Sequence, residues 1–594
     1  MLSLHHFLTA PLAKVPRSQV IFWLFLSLTF AVVFGLSGLQ QGFRADYVVQ
    51  DDARQHVFWM QRYLDPTLFP NDPIADYFQS IAPPGYAFFY RIPAALGINP
   101  LLFNKFLPMG LGLIATVYAF GISLELLPVP LMGFIGSLVL NQNLWVQDDL
   151  ISGTARSFLY PCFLAFIYYL LRGSLLPCLA AILLQGLFYP QFVLIMAGTL
   201  VMRLFSIQGL RLQGLRLAGS EGFNWRRWLT RDRQAYIFCA AGLAVAFVVL
   251  LPYVIDHSPY GSVISAAEAR TMPEFARKAR SAFFVDDFWM FWIFGKRSGV
   301  FFWMMPLSIV GIVLLPVVLV WRSRFPLAAQ LRHLGIFVQV GIASLCVFFA
   351  AHLLLFRLYL PSRYTQYTVQ IFSAFAGAIV VTLLIDAALG WAERQTATPK
   401  GVLSRGLAIA FVLFWAGVVV LSPKLYVFPK VSYVRGTVPE LYEFFAQQPK
   451  DILVASLAKE VDNIPSFSQR SILVGREYAL PYQQVYYRPM RQRIKDLIRA
   501  QYSLDPSDIR KFVRRYKIDF WMIDRRYLSA IEVDGYGQVP IGDWLRQFKP
   551  EITLVEERMK QGKRFVIERF IRRCTVAQAE DLVVLSASCI LGKS

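Results

Sequence analysis

Up to about position 423, long apolar runs alternate with short polar stretches that are often rich in arginine. A helix needs roughly 20 apolar residues to span a bilayer, and several runs approach that length. The pattern predicts spanning helices near 20–38, 101–124, 129–146, 157–172, 174–188, 189–205, 235–255, 300–320, 334–355, 366–386 and 406–422. That makes about eleven, with 174–205 read as a tight pair broken near Tyr189-Pro190. The stretch 82–97 is apolar too, but it is short, Pro-rich and interrupted by Arg91-Ile92-Pro93. It reads as a surface-lying or re-entrant helix. Beyond about 424 the pattern changes. Strand-like runs (451–455, 471–474, 520–523) alternate with polar helical patterns such as 507–516. This is the pattern of a soluble α/β domain.

The expected architecture is therefore a polytopic α-helical membrane protein with two parts. Residues 1–423 form a transmembrane module and residues 424–594 an extracytoplasmic α/β domain. Composition agrees: of 594 residues 56% are hydrophobic and only 16% charged, with mean hydropathy +0.47. A soluble domain has roughly 25% charged residues.

Charge supplies the orientation. Short loops with excess Lys and Arg stay in the cytoplasm. Lys14 and Arg17, the arginines of 203–233, Arg322 with Arg324 and Arg332, and Arg394 with Lys400 and Arg405 all fall on one side when the helices are counted. The other side receives 39–81, 147–156, 256–299, the turn 356–365 and the tail. In 39–81, six acids stand against Arg44, Arg54 and Arg62. The first apolar run is long for a signal peptide and no small-x-small site follows it, so it is read as retained. The N-terminus is then cytoplasmic. Long domains translocate regardless of charge, so the net charge of +21 calls for no nucleic-acid partner.

Cys162, Cys178, Cys239 and Cys346 lie in or beside spans and read as packing residues. Cys574 and Cys589, both in the tail, are candidates for a disulfide in an oxidising compartment. There is no CxxC, HExxH, P-loop or helix-opening GxGxxG, so soluble NTPase, zinc-protease and dinucleotide chemistry lack support.

The residues suited to chemistry gather on the acidic side. Asp51 and Asp52 follow the first span, and a helix beginning there puts His56 on one face with Asp52. Asp148 and Asp149, followed by Arg156, lie between the third and fourth spans. Paired carboxylates are costly beside lipid; they deprotonate a hydroxyl or hold a cation, and Asp148-Asp149 are the candidate site for Mg or Mn. The loop 256–299 carries Glu268, Arg270, Glu274, Asp286 and Asp287 and is long enough for a lid or clamp. The turn 356–367 holds Arg357, Arg363 and Tyr364. Two arginines on a non-cytoplasmic surface oppose the usual bias, and a guanidinium grips phosphate with two hydrogen bonds.

Acids near a membrane face, with arginines suited to phosphate, describe attack on a lipid-linked phosphate ester. The chain resembles the GT-C superfamily of membrane glycosyltransferases, which use polyprenyl-phosphate-linked sugars. Asp51-Asp52 is similar to the acidic motif in that superfamily's first external loop. Asp148-Asp149 resembles the second acidic motif of oligosaccharyltransferase catalytic subunits, and Arg357 or Arg363 matches their lipid-phosphate arginine. The tail segments Tyr502-Ser503-Leu504-Asp505 and Arg515-Tyr516-Lys517-Ile518-Asp519-Phe520 are similar to bacterial members. A Trp-Trp-Asp acceptor signature is missing, and the tail does not resemble the β-trefoil insert of protein O-mannosyltransferases.

The resemblance implies an inverting sugar transfer on the outer face of a bacterial cytoplasmic membrane. The donor is a polyprenyl-phosphate sugar and the acceptor a glycan, lipid or protein. Asp51 or Asp52 is expected as base and Arg357 or Arg363, beside Tyr364, as the phosphate grip, with His56, Glu268 and Arg270 in secondary roles. Rival readings are a polysaccharide polymerase or ligase, and a transporter or flippase. A transporter places ionisable residues near mid-bilayer, whereas Glu125 and Asp386 fall near span ends.

Overall fold

A computed structural model describes residues 2–205, 230, 232–255, 258–277, 279–301, 304–395, 401–528, 531–533, 536–538 and 543–592. Among the described residues, six helices are long and apolar enough to cross a membrane: Arg17–Gly42, Pro100–Leu126, Arg233–Ile255, Gly335–Leu353, Ser362–Arg394 and Gly401–Leu425. Four shorter apolar helices accompany them: Ala155–Leu171, Leu175–Phe188, Pro190–Arg203 and Pro306–Val320. Pro130–Trp145 is a further helix, buried along its whole length. Each predicted run therefore contains a helix, and the chain does break at Tyr189. Leu175–Phe188, with 14 residues, rises only about 21 Å against a hydrocarbon core of roughly 30 Å. Length alone qualifies the six. Most of the arginine-rich segment 203–233, and Lys400, lie outside the described residues.

Ser362–Arg394 is the central post of the bundle, buried over most of its length. Gly311 and Gly377 let Pro306–Val320 cross it backbone to backbone. A Cβ on Gly311 would sit 2.2 Å from the Gly377 nitrogen, and one on Gly377 would sit 2.7 Å from the Leu307 carbonyl oxygen. Small residues permit such an approach between apolar helices. Polar side chains inside the bundle satisfy one another. Asn143 Nδ2 donates to Ser308 Oγ at 2.8 Å and to the Gln370 carbonyl at 3.0 Å, while Gln370 Nε2 donates to the Asn143 carbonyl at 2.7 Å. The stretch 82–97 forms the helix Pro84–Ala95, with Phe88, Ile92 and the following Leu96 exposed at four-residue spacing.

Charged side chains collect at two opposite ends. At one, Glu125 lies 3.6 Å from Arg172, and His5 bonds Asp386 and Glu393 at 3.0 Å each. At the other, the loops bearing Asp51-Asp52 and Asp148-Asp149 meet the turn before Ser362, as the helix alternation requires.

The described residues of the tail and first loop contribute short strands: β1 (Val48–Gln50), β2 (Tyr433–Arg435), β3 (Leu453–Ala455), β4 (Ser471–Ile472), β5 (Phe520–Asp524), β6 (Ile531–Val533), β7 (Tyr536–Gln538), β8 (Thr575–Ala579) and β9 (Leu582–Ser586). A five-stranded sheet runs β4-β3-β5-β9-β8, parallel among its first three strands and antiparallel after them. The runs at 451–455, 471–474 and 520–523 supply β3, β4 and β5. Cys574 and Cys589 form a disulfide with a Cα separation of 5.5 Å. β1 pairs antiparallel with β2, Val48 opposite Arg435 and Gln50 opposite Tyr433. That ribbon stitches the tail to the first acidic loop.

Candidate active site

Each charged residue of the site is fixed by its local backbone. Gln50 ends β1, and its Oε1 accepts the backbone N–H groups of Asp52 (2.8 Å) and Ala53 (3.2 Å). This caps the short helix Ala53–His56, just as a side-chain acceptor satisfies free N–H groups at a helix start. The Asp51 N–H donates to the Ser432 carbonyl at 3.1 Å, so the tail fixes this loop from the other side.

The second pair opens the short helix Asp148–Ile151. Gly153 follows at φ +59°, where a Cβ would lie 2.4 Å from Asn104 Nδ2, so glycine is required. The turn brings Ser152 and Ser157 hydroxyls to the Asp149 carbonyl at 2.9 and 2.8 Å. It also points Arg156 back at the acids.

Arg156 is the hub. Its Nη2 pairs with Asp52 Oδ2 and lies 3.6 Å from Asp148 Oδ1; its Nη1 lies 3.2 Å from Asp149 Oδ1. Arg363, on the first turn of Ser362–Arg394, completes the cluster. Its Nη1 is 3.4 Å from Asp149 Oδ1 and donates to the Tyr367 hydroxyl at 2.7 Å. The Tyr367 hydroxyl in turn lies 3.4 Å from Asp149 Oδ1. Burial pushes the Asp148 carboxyl up, but Arg156, Lys296 and Arg363 together outweigh it and hold it below the usual carboxylate range. Asp51 turns the other way and pairs with Arg54.

The expected residues divide on this geometry. Asp52, Asp148, Asp149 and Arg363 come together. Arg357 is exposed and stands outside the cluster. Tyr364 is buried, and its hydroxyl donates to the Leu358 carbonyl at 2.6 Å, which shapes the turn. His56 packs edge-on against Phe78, 5.7 Å between ring centroids, and burial holds its pKa below the ordinary value despite the nearby Asp52. Glu268 makes an exposed pair with Arg488 at 3.3 Å, and Arg270 stacks over Phe284 at 4.8 Å. Neither of these last two touches the cluster.

The cation expected on Asp148 and Asp149 meets the same hub. Arg156 stands among Asp52, Asp148 and Asp149, so a guanidinium fills the position a shared cation would take. Among the described residues, no group of three or more His, Cys, Asp or Glu is arranged to hold a metal ion. The residues as placed do not fit a divalent cation.

Arg54, Tyr367 and the tail residues Asn463 and Glu477 carried no sequence signal of their own, and Arg156 was visible only as a neighbour of the second acid pair. The long loop proves to be a strap fastened to the tail. Glu274 pairs with Arg491 at 2.7 Å and accepts the Tyr487 hydroxyl at 3.0 Å, and Arg280 Nη2 donates to Glu477 Oε2 at 2.9 Å.

No family model matches the chain, and no curated relative does. Solved structures similar to it include the oligosaccharyltransferase of Archaeoglobus fulgidus tethered to an acceptor peptide. That match has 11% identity and a TM-score of 0.47, covering 86% of this chain and 70% of that one. Archaeal oligosaccharyltransferase AglB from Archaeoglobus fulgidus, in complex with an inhibitory peptide and a dolichol-phosphate, matches at 11% identity and a TM-score of 0.44, over 89% of this chain and 75% of that one. ArnT from Cupriavidus metallidurans matches at 13% identity and a TM-score of 0.42, over 96% of this chain and 99% of that one.

Proposed function

We propose that this protein is a membrane glycosyltransferase of the GT-C type. It takes a sugar from a polyprenyl-phosphate-linked donor and passes it, with inversion, to a hydroxyl of an acceptor glycan, lipid or protein. The reaction runs on the non-cytoplasmic face of a bacterial cytoplasmic membrane. In this reading the chain crosses about eleven times, the N-terminus stays inside, and residues 424–594 lie outside with the Cys574–Cys589 disulfide in an oxidising compartment.

The observation that carries the reading is the shared hub. Arg156 pairs with Asp52 and contacts Asp149, and Asp149 contacts Arg363, all at one end of the bundle. A candidate base and two guanidiniums thus belong to one set of contacts. Asp52 Oδ2 is held by Arg156, while Oδ1 has no hydrogen-bond partner among the described residues. Oδ1 takes the proton of the acceptor hydroxyl as its oxygen attacks the anomeric carbon. The bond from that carbon to the lipid phosphate oxygen breaks, and its electron pair stays on the phosphate. Arg363, with Arg156 behind it, offsets the charge that develops there.

The test is turnover by purified protein in liposomes with a panel of polyprenyl-phosphate sugars, together with comparison of glycans between a deletion strain and wild type. Release of polyprenyl phosphate is expected. Turnover only when polyprenyl-pyrophosphate-linked glycans are supplied, with release of polyprenyl pyrophosphate, would instead indicate a polymerase or ligase, and movement of donor across the bilayer without turnover would indicate a flippase.

A further inference from the structure

The chemistry above uses nothing from the tail, yet the tail reaches the acid pair through one buried carboxylate. Glu477 is 7% exposed. Its Oε2 accepts Gln55 Nε2 at 2.9 Å and Arg280 Nη2 at 2.9 Å, and its Oε1 lies 3.9 Å from Arg54 Nη2. Arg54 itself is 3% exposed, pairs with Asp51 and donates through Nη1 to Asn463 Oδ1 at 3.0 Å. One tail carboxylate therefore gathers the helix Ala53–His56 from the first loop and Arg280 from the long loop. Arg476 Nη1 also lies 3.5 Å from Glu477 Oε1, and Asp462 is the second buried carboxylate beside Arg54 and Arg280, so among the described residues Glu477 is the one acid that contacts both the short helix and the long loop directly.

We infer that Glu477 is a positioning residue for the Asp51-Asp52 pair: through Arg54 and Gln55 it sets where the short helix begins, so the tail completes the active site. This deepens the glycosyltransferase reading and rests on it. The helix Ala53–His56 is only four residues long and cannot hold its own geometry, because a single turn is not stable alone. Its position is borrowed from β1–β2 on one side and from Glu477 with Asn463 on the other.

The test uses the full chain in nanodiscs. Glu477→Gln, Arg54→Met and their double variant are assayed for kcat, donor KM and the pH–rate profile. A misplaced base costs about tenfold to a hundredfold in rate. That loss is expected in kcat for each single variant, with donor KM held and the acidic limb of the profile shifted. The double variant should lose no more than the worse single, because the two act as one unit. Gln55→Leu removes one neutral bond to Glu477 and no charge, so it supplies a milder version should the charge variants fold poorly. Unchanged kcat and pH profile per folded molecule, with only thermal stability lowered, would overturn the inference and leave the glycosyltransferase reading standing. Absence of transfer by the wild-type chain would overturn the reading itself.

Discussion

Arg363 Nη1 lies 3.4 Å from Asp149 Oδ1, and the same nitrogen donates to the Tyr367 hydroxyl at 2.7 Å. The guanidinium is thus aimed by two partners before any ligand arrives, one of them on its own helix and one on another loop. A preset fork of this kind suits phosphate, whereas an ammonium offers only a point charge. Arg363→Lys is therefore expected to cost roughly a hundredfold in transfer while expression holds. Arg357, exposed and outside the cluster, should accept Lys with little loss. Donor titrations of both variants decide this; wild-type donor affinity and turnover in Arg363→Lys would move the phosphate site elsewhere.

The two aspartates of the first pair should separate. Asp52 faces the hub and Asp51 faces Arg54. Asp52→Asn is expected to lower kcat by roughly 100- to 10,000-fold, the range of a lost general base. Asp51→Asn should lose less, because it weakens a contact to Arg54 and removes no proton acceptor. Assays with the cognate lipid donor measure both. Full activity in Asp52→Asn would remove it from the mechanism.

What the chain announced in advance was set by local physics. An apolar run long enough for a bilayer reads the same wherever it sits, so every run proved helical, and helix alternation alone put Asp51-Asp52 and Asp148-Asp149 at one end. Which charge meets which was not legible. Arg357 and Arg363 are equivalent in sequence, six positions apart around Pro361, and only the helix start at Ser362 turns one inward. Arg156 becomes a hub because Gly153 reverses the chain at positive φ, a consequence of three-dimensional closure against Asn104. Glu477 lies far along the chain from Arg54, and nothing local marks either as a partner.

Arg156 holds together acids that repel each other without it. Replacing one member of a buried charge cluster leaves the rest uncompensated, at about 3–5 kcal/mol when burial is complete. Asp149 is nearly buried while Asp148 keeps 35% of its side-chain exposure, so the lower end of that range applies to Arg156→Gln. Thermal unfolding should show the loss. Because the guanidinium already occupies the middle of the acids, chelation of divalent cations should leave wild-type transfer unchanged. Abolition of activity by chelator, restored by Mg or Mn, would bring a cation back to Asp148 and Asp149.

The disulfide fixes a prediction about sidedness. Cys574 and Cys589 join the end of the helix Ile567–Cys574 to Ala587–Ile590 after β9. An oxidised pair suits an extracytoplasmic tail. After mild reduction of intact cells, an impermeant thiol reagent should label Cys589, the partly exposed member of the pair. Labelling only after lysis would place the tail inside and separate it from the acidic loops in the proposed topology.

The last prediction concerns pH. Asp462 is buried next to Glu477, and its Oδ1 accepts the Glu477 N–H at 3.3 Å. Arg54 and Arg280 are the cations that face it, and the Tyr478 hydroxyl donates to its carbonyl at 3.0 Å. Burial first, and the Glu477 charge second, push its carboxyl up to about 7, against the pull of Arg54. The folded chain thus holds this proton more tightly than the unfolded chain does. The resulting stability is fully present below the ordinary carboxylate range, near pH 4, and is lost as pH rises through about 7. Thermal unfolding midpoints should therefore decline as pH rises from about 4 to about 7 and level off above that. Asp462→Asn keeps an acceptor for the Glu477 N–H and removes the charge, so it should flatten that fall and match or exceed wild type at the alkaline end. An unchanged slope in Asp462→Asn would show that the proton sits on another group.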